Sequence, residues 1–141
     1  MTQLLIVSDS YNLRVSLARV LQHAGCSTHV VSPGEMPQIL NIKSFDLLIF
    51  ELRAPYESGL KLLVSIRSLY KLPVIVLSST TYPEVRQRAL MHGASAYLLK
   101  PAEPEMIIQC VRQTLGRQKS DHPVSQLPQW QSYPNIDIPP L

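Results

Sequence analysis

Asp46-Leu47-Leu48-Ile49-Phe50-Glu51 is an apolar run closed by a glutamate, followed by Leu52-Arg53-Ala54-Pro55 and then Gly59. A run so short and so apolar reads as a strand buried on both faces, as strands of parallel sheets are. Leu4-Leu5-Ile6-Val7 has the same form and ends in Ser8-Asp9. Tyr97-Leu98-Leu99 ends on Lys100, just before Pro101, and Val74-Ile75-Val76-Leu77 ends on Ser78 and Ser79. Unpaired charge is costly to bury, so charges at strand ends collect in a shared, solvent-facing pocket. Two carboxylates, an ammonium and a hydroxyl are the groups of a phosphate- and metal-handling site.

The segments between these runs read as helices. Asp9 or Ser10 can cap a helix over 11–24, where Leu13, Leu17, Val20, Leu21 and Ala24 repeat at helical spacing and Gly25 follows. Residues 27–31 form a second strand, and 35–42 a short helix after the turn at Pro33-Gly34. Residues 60–69 form a helix with Leu60, Leu63, Val64 and Ile66 inward. Helices over 83–92, with proline in its first turn, and over 104–118 complete the pattern. Strand and helix alternate five times in about 119 residues. The expected architecture is a single α/β domain over residues 1–119. It is a doubly wound, flavodoxin-like (βα)5 unit with a five-stranded parallel sheet and helices on both faces. Such folds bind ligands at the carboxyl ends of their strands. Residues 120–141 carry five prolines and no periodicity, and read as a disordered or polyproline-like tail or linker.

Composition narrows the function classes. The 141 residues are 45% hydrophobic and 16% charged, as in a globular domain. No stretch approaches the ~20 apolar residues that span a bilayer, and Met1-Thr2-Gln3-Leu4 lacks a basic leader. Cys26 and Cys110 form no paired motif and read as free thiols, which fits a cytoplasmic protein. The four histidines lack ligand spacing. The net charge of +3 is spread along the chain, with no basic stripe to contact nucleic acid directly.

Four motifs in order resemble the receiver domain of two-component response regulators. They are Leu5-Ile6-Val7-Ser8-Asp9 with Leu13-Arg14; Asp46-Leu47-Leu48-Ile49-Phe50-Glu51 with Pro55 and Gly59; Pro73-Val74-Ile75-Val76-Leu77-Ser78-Ser79; and Gly93-Ala94 with Tyr97-Leu98-Leu99-Lys100-Pro101. The resemblance implies a phosphoacceptor position at Glu51 and phosphate-pocket residues Ser78 and Lys100. It implies a switch aromatic at Tyr97 and a cis peptide at Pro101. It also implies a magnesium site, here with donors only from Asp9, Glu51 and the Arg53 carbonyl. No residue is assigned a catalytic role.

The chain departs from the family pattern twice. Glu51 stands where the resemblance implies aspartate, and its carboxylate sits roughly 1.5 Å further out. Ser8 replaces the first acid of the metal-binding pair. Asp9 and Glu51 against Lys100 leave the pocket about −1, where three acids and a lysine give −2, so weak magnesium binding is expected. Phosphoryl transfer depends on positioning and metal neutralisation. The expectation is therefore a phosphorylation-independent signalling module in two-component or phosphorelay transduction, with no enzyme activity. In a variant, Glu51 imitates a phosphorylated aspartate and locks an active state through Ser78 and Tyr97.

The resemblance also implies that a histidine kinase or downstream effector docks on the face made by the fourth helix, fifth strand and last helix. There Ala94-Ser95-Ala96 precedes Tyr97 without acids, and Arg86, Arg88 and Arg112 are read as without mates within that face, so a basic face and an acidic partner are expected. One alternative is the regulatory domain of a longer transcription factor, with its output domain elsewhere. Another is a small-ligand-binding flavodoxin-like protein, disfavoured because Asp9-Ser10-Tyr11-Asn12-Leu13 has no glycine to cradle phosphate. Trp130 and Tyr133 are candidates for a docking motif in the tail.

Overall fold

Every second residue of the central strands faces one helical layer and the alternate residues face the other. Leu5, Val7, Leu48, Phe50, Val74 and Val76 pack with Met36, Leu60, Leu63, Ile66, Val85 and Ala89. Leu4, Ile6, Leu47, Ile49, Ile75 and Leu77 pack with Leu17, Leu21, Ile107, Cys110 and Val111. This two-sided burial is why the strands read as unbroken apolar runs.

The computed structural model describes residues 1–119 and 136–137. Its elements are β1 (Gln3–Val7), α1 (Tyr11–His23), β2 (Ser27–Val31), α2 (Met36–Ile42), β3 (Leu47–Glu51), α3 (Tyr56–Leu69), β4 (Val74–Ser78), α4 (Pro83–Met91), β5 (Ala96–Leu99), α5 (Pro104–Lys119) and β6 (Ile136–Asp137). The sheet order is β2-β1-β3-β4-β5-β6. The first five strands are parallel, with α2, α3 and α4 on one face and α1 and α5 on the other. The strand order reverses between β1 and β3, so the carboxyl ends of those two strands form the crevice of a doubly wound sheet.

Three expectations need correction. The third helix begins at Tyr56, four residues before the expected start, with Pro55 as its N-cap. Gly59 hid that first turn; a Cβ there would come within 2.5 Å of Leu52 Cδ1, so any larger residue would displace the buried Leu52 side chain. Val64, expected inward, is 40% exposed, because the buried stripe of α3 runs through Leu60, Leu63 and Ile66. The tail, expected to lack regular structure, contributes β6, which pairs antiparallel with β5 through Tyr97 opposite Asp137 and Leu98 opposite Ile136. Trp130 and Tyr133 lie outside the described residues. Cys26 and Cys110 are both free thiols. Among the described residues, no helix is long and apolar enough to cross a membrane.

Candidate functional site

Strand parity decides which side chains meet at the carboxyl end of the sheet. Ile6 and Ile49 face the α1/α5 layer. Two residues further along each strand, Ser8 and Glu51 face the same way. Leu98 belongs to that layer as well, and two residues later comes Lys100. β1 and β3 are hydrogen-bonded neighbours, which places Ser8 beside Glu51.

Glu51 is 7% exposed, and both of its carboxylate oxygens are engaged. Ser8 Oγ donates to Oε1 at 2.5 Å. The Lys100 ammonium donates to Oε2 and forms an ion pair with it. Ser8 Oγ in turn accepts the Ser10 backbone N–H at 2.9 Å. That acceptance orients the hydroxyl, so its single proton points at Glu51. Serine at position 8 is thus more than a lost acid. A carboxylate there would face a second carboxylate, whereas the hydroxyl supplies the hydrogen bond that a buried glutamate requires.

The other expected site residues divide into those the fold brings to Glu51 and those it does not. Ser10, not Asp9, caps α1: its hydroxyl accepts the Leu13 N–H at 3.2 Å. Asp9 is exposed and lines a cleft with Arg53, Pro55 and Glu51. Ser78 is fully buried, and its Oγ accepts the Thr80 N–H at 3.3 Å. Of the two serines at the end of β4, it is Ser79 that lines the polar cavity beside Glu51 and Lys100, with Ser10, Arg53 and Tyr56. Parity explains the difference, since Leu77 faces the α1/α5 layer and Ser78 the opposite one. That signal was present in the sequence. Tyr97, 1% exposed, donates its hydroxyl to the Thr80 carbonyl at 3.1 Å. The Lys100–Pro101 bond is cis, and so is Ala54–Pro55.

The donor set does not fit magnesium. A hard divalent cation needs several oxygen ligands in octahedral array. Both Glu51 oxygens are committed to Ser8 and Lys100, leaving Asp9 as the only uncommitted carboxylate of the three expected donors. No cluster of three His, Cys, Asp or Glu side chains suited to a metal occurs among the described residues.

One of the arginines read on α4 has a mate on a neighbouring helix. Arg88 pairs with Glu57 of α3 through both guanidinium branches, Nη2 donating to Oε2 at 2.9 Å. The guanidinium holds the Glu57 carboxyl below its ordinary range, chiefly by that hydrogen bonding. Its mate lies on a neighbouring helix, outside the face on which a partner was sought.

Comparison with known proteins agrees with this architecture. The model of the response regulator receiver domain matches residues 4–112. Response regulator ArlR of Staphylococcus haemolyticus is 33% identical over 122 residues, which cover 84% of this chain and 54% of the relative. Response regulator ArlR of Staphylococcus aureus is likewise 33% identical over the same shares. The chain therefore spans about half the length of the curated relatives it matches. Among solved structures, chemotaxis response regulator CheY4 of Vibrio cholerae superposes with a TM-score of 0.72 at 28% identity, covering 81% of this chain and 98% of that one. A two-component response regulator from Clostridium difficile shares the fold with a TM-score of 0.79 at 23% identity, over 85% and 100% of the two chains. With a doubly wound parallel sheet and a family match over residues 4–112, the chain belongs to the response regulator receiver family.

Proposed function

We propose that this receiver works without phosphorylation, as a signalling interaction module whose acid pocket is closed by its own side chains. One observation carries the reading: both oxygens of the carboxylate at the phosphoacceptor position are occupied, one by the Ser8 hydroxyl and one by the Lys100 ammonium. Attack on a phosphoryl donor needs a free carboxylate oxygen and a metal to neutralise the transferred group. Here the oxygens are engaged and the donor set for the metal is broken. Glu51 also holds Lys100 in the way a phosphorylated aspartate would, with one negative charge in place of nearly two.

Tyr97 supports a domain held in one state, since its ring is buried and its hydroxyl is tied to Thr80. The route by which Glu51 was expected to act on Tyr97 is less well supported, because the Ser78 hydroxyl engages Thr80 and not Glu51. The proposed partners are a histidine kinase or a downstream effector, meeting the α4–β5–α5 face. The relatives' greater length favours a second possibility within the same reading, that the domain regulates an output unit of a longer protein.

Incubation with acetyl phosphate and magnesium followed by intact-mass measurement tests the proposal. No phosphoryl adduct is expected. A stoichiometric adduct that disappears in Glu51→Gln would overturn it.

A further inference from the structure

Two hollows meet at Lys100 and Ser79, and they differ in chemistry. One is a cavity of about 530 Å³ between α1 and α5, walled by Leu17, Val20, Leu77 and Ile107. It has no acid in its lining, and Lys100 and Ser79 stand at its edge. The other, of about 440 Å³, is the polar space beside Glu51, where Ser10 and Arg53 join the same Lys100 and Ser79. Two cations face a single acid there, and that acid already accepts from Ser8 and Lys100. Asp9 lines the adjoining cleft and not this space. The Lys100 ammonium has three N–H donors and directs one at Glu51, which leaves two. The Ser10 hydroxyl accepts from Leu13 and keeps its own proton.

The geometry points to a binding site for a small amphipathic monocarboxylate. Its apolar body would lie between α1 and α5, and its carboxylate would sit among Lys100, Arg53 and Ser79. The volume of the apolar hollow falls within the roughly 300–1,000 Å³ of small-ligand pockets, which are apolar with a few convergent polar groups. Among the residues lining this polar cavity Lys100 and Arg53 stand against Glu51 alone, which suits one negative charge. A dianion would meet the Glu51 carboxylate at its second charge. The ligand and Glu51 would share Lys100, so occupancy would be felt in the closed pocket without any covalent change. This goes beyond the proposed function: the site stands or falls whether or not Glu51 accepts a phosphoryl group, and acetyl phosphate labelling reports on that question separately.

The test is an NMR titration of the isotopically labelled full chain with sodium decanoate below its aggregation concentration, with 1-decanol as the uncharged control. Saturable one-to-one shifts are expected at Leu17, Val20, Ile107 and Lys100, with decanol at least tenfold weaker. Val20→Trp should fill the apolar hollow and abolish the shifts. Arg53→Gln, at an exposed position outside the Ser8–Glu51–Lys100 group, should weaken binding about tenfold and keeps the test decisive if Val20→Trp does not fold. Absence of saturable shifts at millimolar decanoate would overturn the inference. So would equal binding of acid and alcohol, or unchanged binding by a folded Val20→Trp or by Arg53→Gln.

Discussion

Two ion pairs of the same chemistry sit in opposite surroundings. Lys100 and Glu51 meet at the carboxyl end of the sheet, with side-chain exposures of 26% and 3%. Arg88 and Glu57 meet between α4 and α3, at 42% and 62%. Arg88 is the better hydrogen-bonding partner in isolation, since its guanidinium engages both oxygens of one carboxylate. Even so, the exposed pair stabilises little, because water and salt screen it and two long side chains lose freedom to form it. The buried pair matters because removing Lys100 leaves the Glu51 carboxylate dry and uncompensated. The difference lies in the environment, and it is what the proposed structural role of Glu51 rests on.

The largest effect should come from removing one buried partner. Lys100→Met leaves the Glu51 carboxylate desolvated and should cost roughly 1–3 kcal/mol in urea melts, at the lower end because the pocket opens to solvent on one side. Glu51→Gln together with Lys100→Met should cost less than the sum of the two single changes. Additive losses would mean that the contact does not couple them.

Ser8→Asp sharpens the comparison by adding like charge. Two carboxylates would then meet at the carboxyl ends of β1 and β3, which raises the folded-state pKa of the pair above its unfolded value. The linkage has a definite sign. Protonation is favoured in the folded state, so stability is retained at low pH and lost as pH rises through the carboxylate range around 4 and above. Ser8→Asp should therefore be destabilised at pH 7 and approach the parent protein in acid. A stability deficit independent of pH would contradict the reading. Ser8→Ala is milder: it removes one hydrogen bond to a charged, buried acceptor and should cost about 1–2 kcal/mol.

The smallest effect belongs to Arg88→Ala. Because the pair is exposed, the urea midpoint should move little, and the difference should vanish in high salt. Glu57 titrates below its ordinary range, so whatever this pair adds is present at neutral pH and lost as acid protonates Glu57. A large, salt-insensitive loss would show that the contrast between the two sites is wrong.

Much of this was legible in the residues. Strands buried on both faces announce themselves as apolar runs, and the charged residues at their ends follow from topology alone. The Lys100–Glu51 pair is legible for the same reason. The misses have physical causes. Ser8 reads as the absence of an acid until its geometry shows a donor aimed at Glu51. Ser78 and Ser79 are both hydroxyls at the end of β4, and only strand parity tells which of them faces Glu51. Arg88 finds its partner on α3, a helix distant in sequence whose approach only the folded structure reveals. Helix α3 began early because Pro55 and Gly59 read as loop residues, although proline suits a helix start and this glycine packs against Leu52. The pairing of Ile136–Asp137 with β5 has no periodic signal in two residues.

Beryllofluoride titration followed by fluorine NMR, in the presence of magnesium, tests the closed pocket most directly when run on three proteins. The parent chain should give no bound-fluoride signal, Glu51→Asp only a weak one, and Ser8→Asp with Glu51→Asp a strong one, because the shorter acid frees space and the second acid restores a metal ligand. A bound signal of full intensity from the parent chain would contradict the account.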